Sequence, residues 1–161
     1  MKFPTPSTLA ILLAAMLLAT LPAPRSAQAG DFQPLAKVKA LYAPYQGLAP
    51  VPEIFLDQLA PIAAPKLRAL LDHELSCQHQ YLKACNYPFN VIVNGESYQL
   101  SELRFELAAP SKETVKITAM FKNFGQPSRL IYLFRKSGTN WLLEDVQSLE
   151  GEAWTLVKLL R

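Results

Sequence analysis

The spacing of apolar residues changes near Pro88, and that change limits the folds open to this chain. Before it, apolar side chains recur at intervals of three and four: Leu35, Val38, Leu41, Tyr42 and Tyr45, then Leu67, Leu70, Leu71, Leu75 and Leu82. Such a period collects them on one face of a helix. After it, Phe89, Val91 and Val93 alternate with Asn90 and Ile92, and Val115, Ile117, Ala119 and Phe121 alternate with Lys116, Thr118 and Lys122. A period of two is that of an extended strand. Helices first and strands afterwards define an α+β domain rather than an alternating α/β one.

Turn residues divide these two halves further. A helix is expected over residues 33–46 with Gly47 as its stop, and Pro50 and Pro52 stiffen the link that follows. A second, short helix is expected over 53–60, ended by Pro61. A third starts at Pro65, which suits a first turn, and runs to about Lys83. Strands are then expected at 89–93, over 98–107 as one or two segments with a bulge near Ser101, at 115–122, at 130–135 and at 141–146. The breaks fall at Asn94-Gly95, Ala109–Lys112, Phe124–Pro127 and Ser137–Asn140. Trp154, Val157 and Leu160 carry helical spacing and predict a closing helix over 153–160. The arrangement expected is N-terminal helices packed on a curved antiparallel sheet of about four or five strands.

The first 29 residues stand apart from this plan. Lys2 precedes an uncharged apolar run over 9–21, Pro22 and Pro24 end it, and Ala27-Gln28-Ala29 offers a small-x-small cleavage pattern. These are the three regions of a secretory signal peptide, with the mature single domain at 30–161. The run is shorter than the roughly 20 residues that span a bilayer, so no membrane insertion is expected after cleavage. The sequence then points to the periplasm. The leader also explains the slightly positive mean hydropathy of the chain. The formal charge of +3 falls towards neutrality once Lys2 and Arg25 are removed. A nearly neutral chain without a basic cluster argues against nucleic acid as a partner.

Cys77 and Cys85 are the only cysteines, and in an exported chain an even pair reads as a disulfide. His73 and His79 bracket Cys77, which raises a Cys2His2 metal site. The spacing does not match the usual zinc frameworks, and residues six apart lie about 240° from each other around a helix. No metal and no cofactor is therefore expected.

Several short segments together resemble a known family. They are Leu41–Tyr45 (LYAPY), Pro65–Glu74 (PKLRALLDHE), Tyr87–Phe89 (YPF), Asn140–Ser148 (NWLLEDVQS) and Leu156–Leu160 (LVKLL). The mature chain is similar to the bacterial envelope family of domain of unknown function 3828, with a nuclear transport factor 2-like fold, a cone of helices on a curved antiparallel sheet. Members place an acid beside the Pro-Phe pair; here Asn86 and Tyr87 precede Pro88 and Phe89. The resemblance implies a small exported protein of the envelope. Some neighbours of this fold act as periplasmic immunity proteins or as accessories of envelope complexes.

Two functions follow. The first is a binding or accessory protein without catalysis, monomer or dimer, that holds a periplasmic protein or a small apolar ligand. Tyr45, Tyr87, Phe124 and Tyr132, with Tyr42 and Tyr81, are its candidate contacts, because tyrosine joins apolar area to a hydroxyl. The alternative is an isomerase or lyase working in the cone with a carboxylate base of raised pKa. Asp145, Asp72 and His73 are its candidates, with Glu144, Tyr98 and Tyr132 nearby in type. No serine sits in a nucleophile elbow, and no phosphate loop or paired-histidine metal motif is present.

Overall fold

A computed structural model describes residues 32–52, 54–81, 85–86, 89–151 and 153–161. The segment expected as a signal peptide and Tyr87 lie outside the described residues.

Helix α1 (Gln33–Tyr42) buries Leu35, Val38, Leu41 and Tyr42, the stripe read from the sequence. It stops before the expected residue 46. Pro44 has no N–H for another helical bond, so the chain tightens into a 3-10 turn over Pro44–Gln46 that Gly47 closes at φ 73°. Helix α2 (Leu56–Leu59) is a single turn that buries Leu56 and Leu59. Helix α3 (Pro65–Tyr81) buries Leu67, Leu71, Glu74 and Gln78. Leu70 and Leu75 are only half-buried, so the inward face is rotated from the leucine stripe and carries two polar residues.

Five strands follow: β1 (Leu100–Leu107), β2 (Thr114–Asn123), β3 (Gln126–Ser137), β4 (Asn140–Ser148) and β5 (Trp154–Thr155). They pair antiparallel in chain order, with β1 at one edge and the short β5 at the other. Two-residue turns set the register of the centre. Asn123 faces Gln126 across Phe124-Gly125, whose φ values of 48° and 78° fit the right-handed twist of a hairpin. The expected bulge of β1 is present, with Glu102 at φ 54°. A second bulge at Glu144 displaces the register between Leu133 and Phe134.

One sheet face carries Ile117, Ala119, Phe121, Leu130, Tyr132, Phe134, Leu143 and Val146, which join Leu35, Val38, Tyr42, Leu56, Leu59, Leu67 and Leu71 in one core. Burial of each large side chain contributes about 1.5–3 kcal/mol. The turn before α3 is fastened to β4, since Ala64 N–H donates to the Leu143 carbonyl at 2.7 Å. The entry to α1 is fastened to the same strand: Trp141 N–H donates to Gln33 Oε1 at 2.8 Å and Lys37 Nζ donates to the Trp141 carbonyl at 2.6 Å.

The helices are not confined to the N-terminal half. Helix α4 (Leu156–Leu159) closes the chain and buries Leu156. It is shorter than expected because Trp154 and Thr155 pair with Ser148 and Gln147 as a strand.

The largest departure is at residues 89–97. The expected strand is a tight loop. Asn90 and Gly95 exchange backbone bonds of 3.0 and 3.2 Å, and Val91, Ile92 and Val93 between them are all fully buried. An alternating strand would turn Ile92 away from Val91 and Val93, whereas a loop plugs all three into the core. Three asparagines make this geometry affordable to the backbone. Asn90 Oδ1 accepts the Ile92 N–H at 2.9 Å, Asn94 takes φ 54°, and buried Asn123 clamps the loop from β2. The Asn123 amide donates to Val93 O at 3.1 Å and Ser97 O at 3.0 Å, and its oxygen accepts the Gln99 N–H at 2.8 Å. Asn123→Ala leaves these groups without partners and is expected to lower stability by about 2–3 kcal/mol, read from a urea unfolding curve.

Candidate functional site

Three of the candidate tyrosines lie in the core. Tyr42 and Tyr132, both fully buried, hydrogen-bond through their hydroxyls at 3.0 Å. Phe105 packs edgewise on Tyr42 at 5.5 Å between centroids, and Phe121 packs tilted on it at 5.7 Å. Tyr45 is buried too. Its hydroxyl accepts from Asn90 Nδ2 at 2.8 Å and Gln58 Nε2 at 3.2 Å, and its ring meets Tyr98 at 5.0 Å. Tyr45 and Tyr132 are therefore core residues, not members of a surface patch. Each joins apolar bulk to one hydroxyl with an internal partner, which is why both are tolerated inside.

Burial pushes the phenols of Tyr42 and Tyr132 well above the usual value of 10.0, with the neighbouring ring adding to the shift at Tyr42. The folded state therefore keeps protons that the unfolded chain releases near pH 10. Stability is complete below that pH and falls as pH rises towards the folded values. Urea midpoints should hold at neutral pH and drop above pH 10. The Tyr42→Phe/Tyr132→Phe double variant should show a smaller drop.

The candidate carboxylates do not converge. Asp145 is half-buried, and its Oδ1 accepts the N–H of Val146 at 2.9 Å and of Val157 at 3.0 Å. It fixes the last helix to β4. Glu144 lies in the β4 bulge and pairs with Arg135. Asp72 is exposed on α3 and pairs with Arg68 at 2.6 Å, and His73 is exposed beside it. His79, six residues on, is also exposed, and among the described residues no group of three or more His, Cys, Asp and Glu is placed to hold a metal ion.

Cys77 and Cys85 form the disulfide, with Cα atoms 6.3 Å apart. Beside it stands a carboxylate that the sequence reading missed. Glu74 is fully buried and accepts from Cys85 N–H at 2.8 Å, Asn86 N–H at 3.4 Å, Asn86 Nδ2 at 2.6 Å and Gln78 Nε2 at 3.1 Å. It holds the chain that leaves the disulfide against α3. The signal was available: Glu74 and Gln78 continue the Leu67, Leu71 row at helical spacing.

The concave surface lies elsewhere. A cleft of about 620 Å³ is bordered by Phe89, Asn94, Pro127, Ser128, Glu150 and Trp154, together with Gln126 and Gly151. Phe89 and Trp154 meet with ring centroids 5.6 Å apart. Trp154 is fixed in place because its indole N–H donates to Asn94 Oδ1 at 3.0 Å. Glu150 faces Arg129 at 3.4 Å. A smaller hollow of about 180 Å³ shares Pro127, Ser128 and Glu150 with the cleft and adds Arg104, Lys122 and Arg129. The whole surface thus offers an aromatic pair, amides and a hydroxyl, and paired charges at its rim. This is a composition suited to recognition. Of the sequence candidates, Phe124 and Tyr81 are exposed, at 56% and 58%, but neither borders the cleft.

Among the described residues no helix is long and apolar enough to cross a membrane. Comparison with protein-family models, with curated proteins and with solved structures gives no match.

Proposed function

We propose that this is an exported, periplasmic binding or accessory protein of the nuclear transport factor 2-like class, and that it holds an envelope protein in the cleft at Phe89 and Trp154. One observation carries the reading: the aromatic pair is held open at a cleft while the candidate base Asp145 is engaged by backbone N–H groups of its own domain. A meander of five antiparallel strands with helices on one face supports the fold class. The leader and the disulfide support export.

The test is capture from an envelope extract on the immobilised mature protein, with native mass spectrometry of what elutes. The wild type is expected to enrich one protein, and Trp154→Ala and Glu150→Lys are expected to lose it. Glu150 stands at the rim, so the second variant keeps the core intact. Equal capture by both variants, or elution of a bound metabolite without protein, counts against the reading.

A further inference from the structure

The free edge of the sheet carries a pattern that specifies its own partner. Among the described residues, strand β1 is hydrogen-bonded to β2 alone. Ala108 N–H donates to the Lys116 carbonyl at 3.1 Å, continuing the ladder in which Glu106 faces Thr118 and Arg104 faces Met120. Bonds to a neighbour alternate along an antiparallel strand. Arg104 and Glu106 therefore bond to β2, and the backbone N–H and C=O of Phe105 and Leu107 point away from it. Such an edge is an open template for another strand.

The side chains choose that strand. Arg104 and Glu106 stand exposed on the outer face, and neither forms an ion pair among the described residues. The sheet's other arginines are both engaged, Arg129 by Glu150 and Arg135 by Glu144 and Glu113. Two copies of β1 can pair antiparallel about a twofold axis only in registers that bring outward backbone groups together. Centring on Arg104 sets arginine against arginine, and centring on Glu106 sets glutamate against glutamate, both unfavourable. Centring on Leu103 runs the ladder into the bulge at Glu102, and centring on Leu107 sets Glu106 against Ala108 and Arg104 against Pro110, which pairs neither charge. Centring on Phe105 sets each Arg104 against the partner's Glu106, in the close, non-hydrogen-bonded positions. The same register sets Leu107, 40% exposed in the single chain, against the partner's Leu103.

We infer that β1 is the contact through which two copies of this protein associate, joining their sheets into one of ten strands with Phe105 at the dyad. The interface is isologous and small, so association belongs to the weak class. It does not rest on the cleft reading above, although Arg104 also borders the smaller hollow beside that cleft.

Sedimentation equilibrium of the mature chain at about 100 µM tests it, since weak interfaces populate at such concentrations. The wild type is expected to be dimeric. Arg104→Glu and Glu106→Arg each place like charges opposite one another twice, and each should weaken association roughly tenfold to a hundredfold. The double exchange Arg104→Glu/Glu106→Arg restores both pairs and should restore the dimer. Both positions are on the surface, and circular dichroism checks that each of the three variants folds. A monomeric wild type leaves the edge to some other chain and overturns the inference. So do single variants that remain dimeric, or a double variant that stays monomeric.

Discussion

Tyr42→Ala is expected to lower stability by about 3–5 kcal/mol, the usual cost of removing a large buried aromatic side chain. That is a large part of the total of about 5–15 kcal/mol that holds a domain together. The site explains the size. Tyr42 is fully buried, touches Phe105, Phe121 and Tyr132 ring to ring, and leaves Tyr132 without its hydrogen bond when removed. Two milder variants separate volume from polarity. Tyr42→Phe keeps the ring but strands the Tyr132 hydroxyl, for a cost of about 1–3 kcal/mol. Adding Tyr132→Phe removes that stranded group and should recover much of the loss. Urea unfolding of these proteins and of the Tyr132→Phe single variant reads the series. Losses of the two single Phe variants that simply add in the double variant would show that the hydroxyl pair does not act as a unit.

Glu74→Ala is expected to cost about 3 kcal/mol, because the carboxylate serves four N–H donors from inside the protein. Glu74→Gln keeps an acceptor and the shape and should lose less. The disulfide adds a second arm. Cys77→Ser opens a loop of eight residues and should cost about 2–3 kcal/mol on the chain-entropy account. Both changes free the same segment, Cys85 and Asn86, from α3. The double variant Glu74→Ala/Cys77→Ser should therefore lose less than the sum of the two. Additive losses would mean that the carboxylate and the disulfide hold different things.

Periodicity carried most of the fold. Helix α3 and strands β2, β3 and β4 were legible because each repeats its pattern over nine or more residues. Short segments were not. Phe89, Val91 and Val93 read as an alternating strand, whereas Val91, Ile92 and Val93 make a plug once Asn90 and Asn123 satisfy the loop backbone and Asn94 takes positive φ. Only Asn90 and Asn94 are near in sequence; the clamp from Asn123 is a tertiary fact. Glu74 was passed over because a charge is normally read off a buried face, although its spacing placed it there.

The cleft was illegible for a different reason. Phe89, Asn94, Pro127, Ser128, Glu150 and Trp154 come from three separated stretches and share no spacing. Trp154 read as a core position of the closing helix. Pairing of Trp154 and Thr155 with β4 turns it instead towards Phe89. Tyr45 and Tyr132 carried the chemistry of a binding surface but had hydroxyl partners waiting inside, in Asn90 and Tyr42. The sequence told aromatic residues from charged ones; it did not tell which aromatic residues face water.

The central claim is that recognition occurs at Phe89 and Trp154. The chain has two tryptophans, so their indole N–H signals can be followed separately by ¹⁵N-resolved NMR. Trp141 packs on Phe32 at the far end of β4 and serves as the internal reference. Titration with the captured envelope protein is predicted to shift or broaden the Trp154 indole, whose N–H is held by Asn94, and to leave the Trp141 indole in place. A partner that binds tightly while the Trp154 signal stays unchanged would contradict the account.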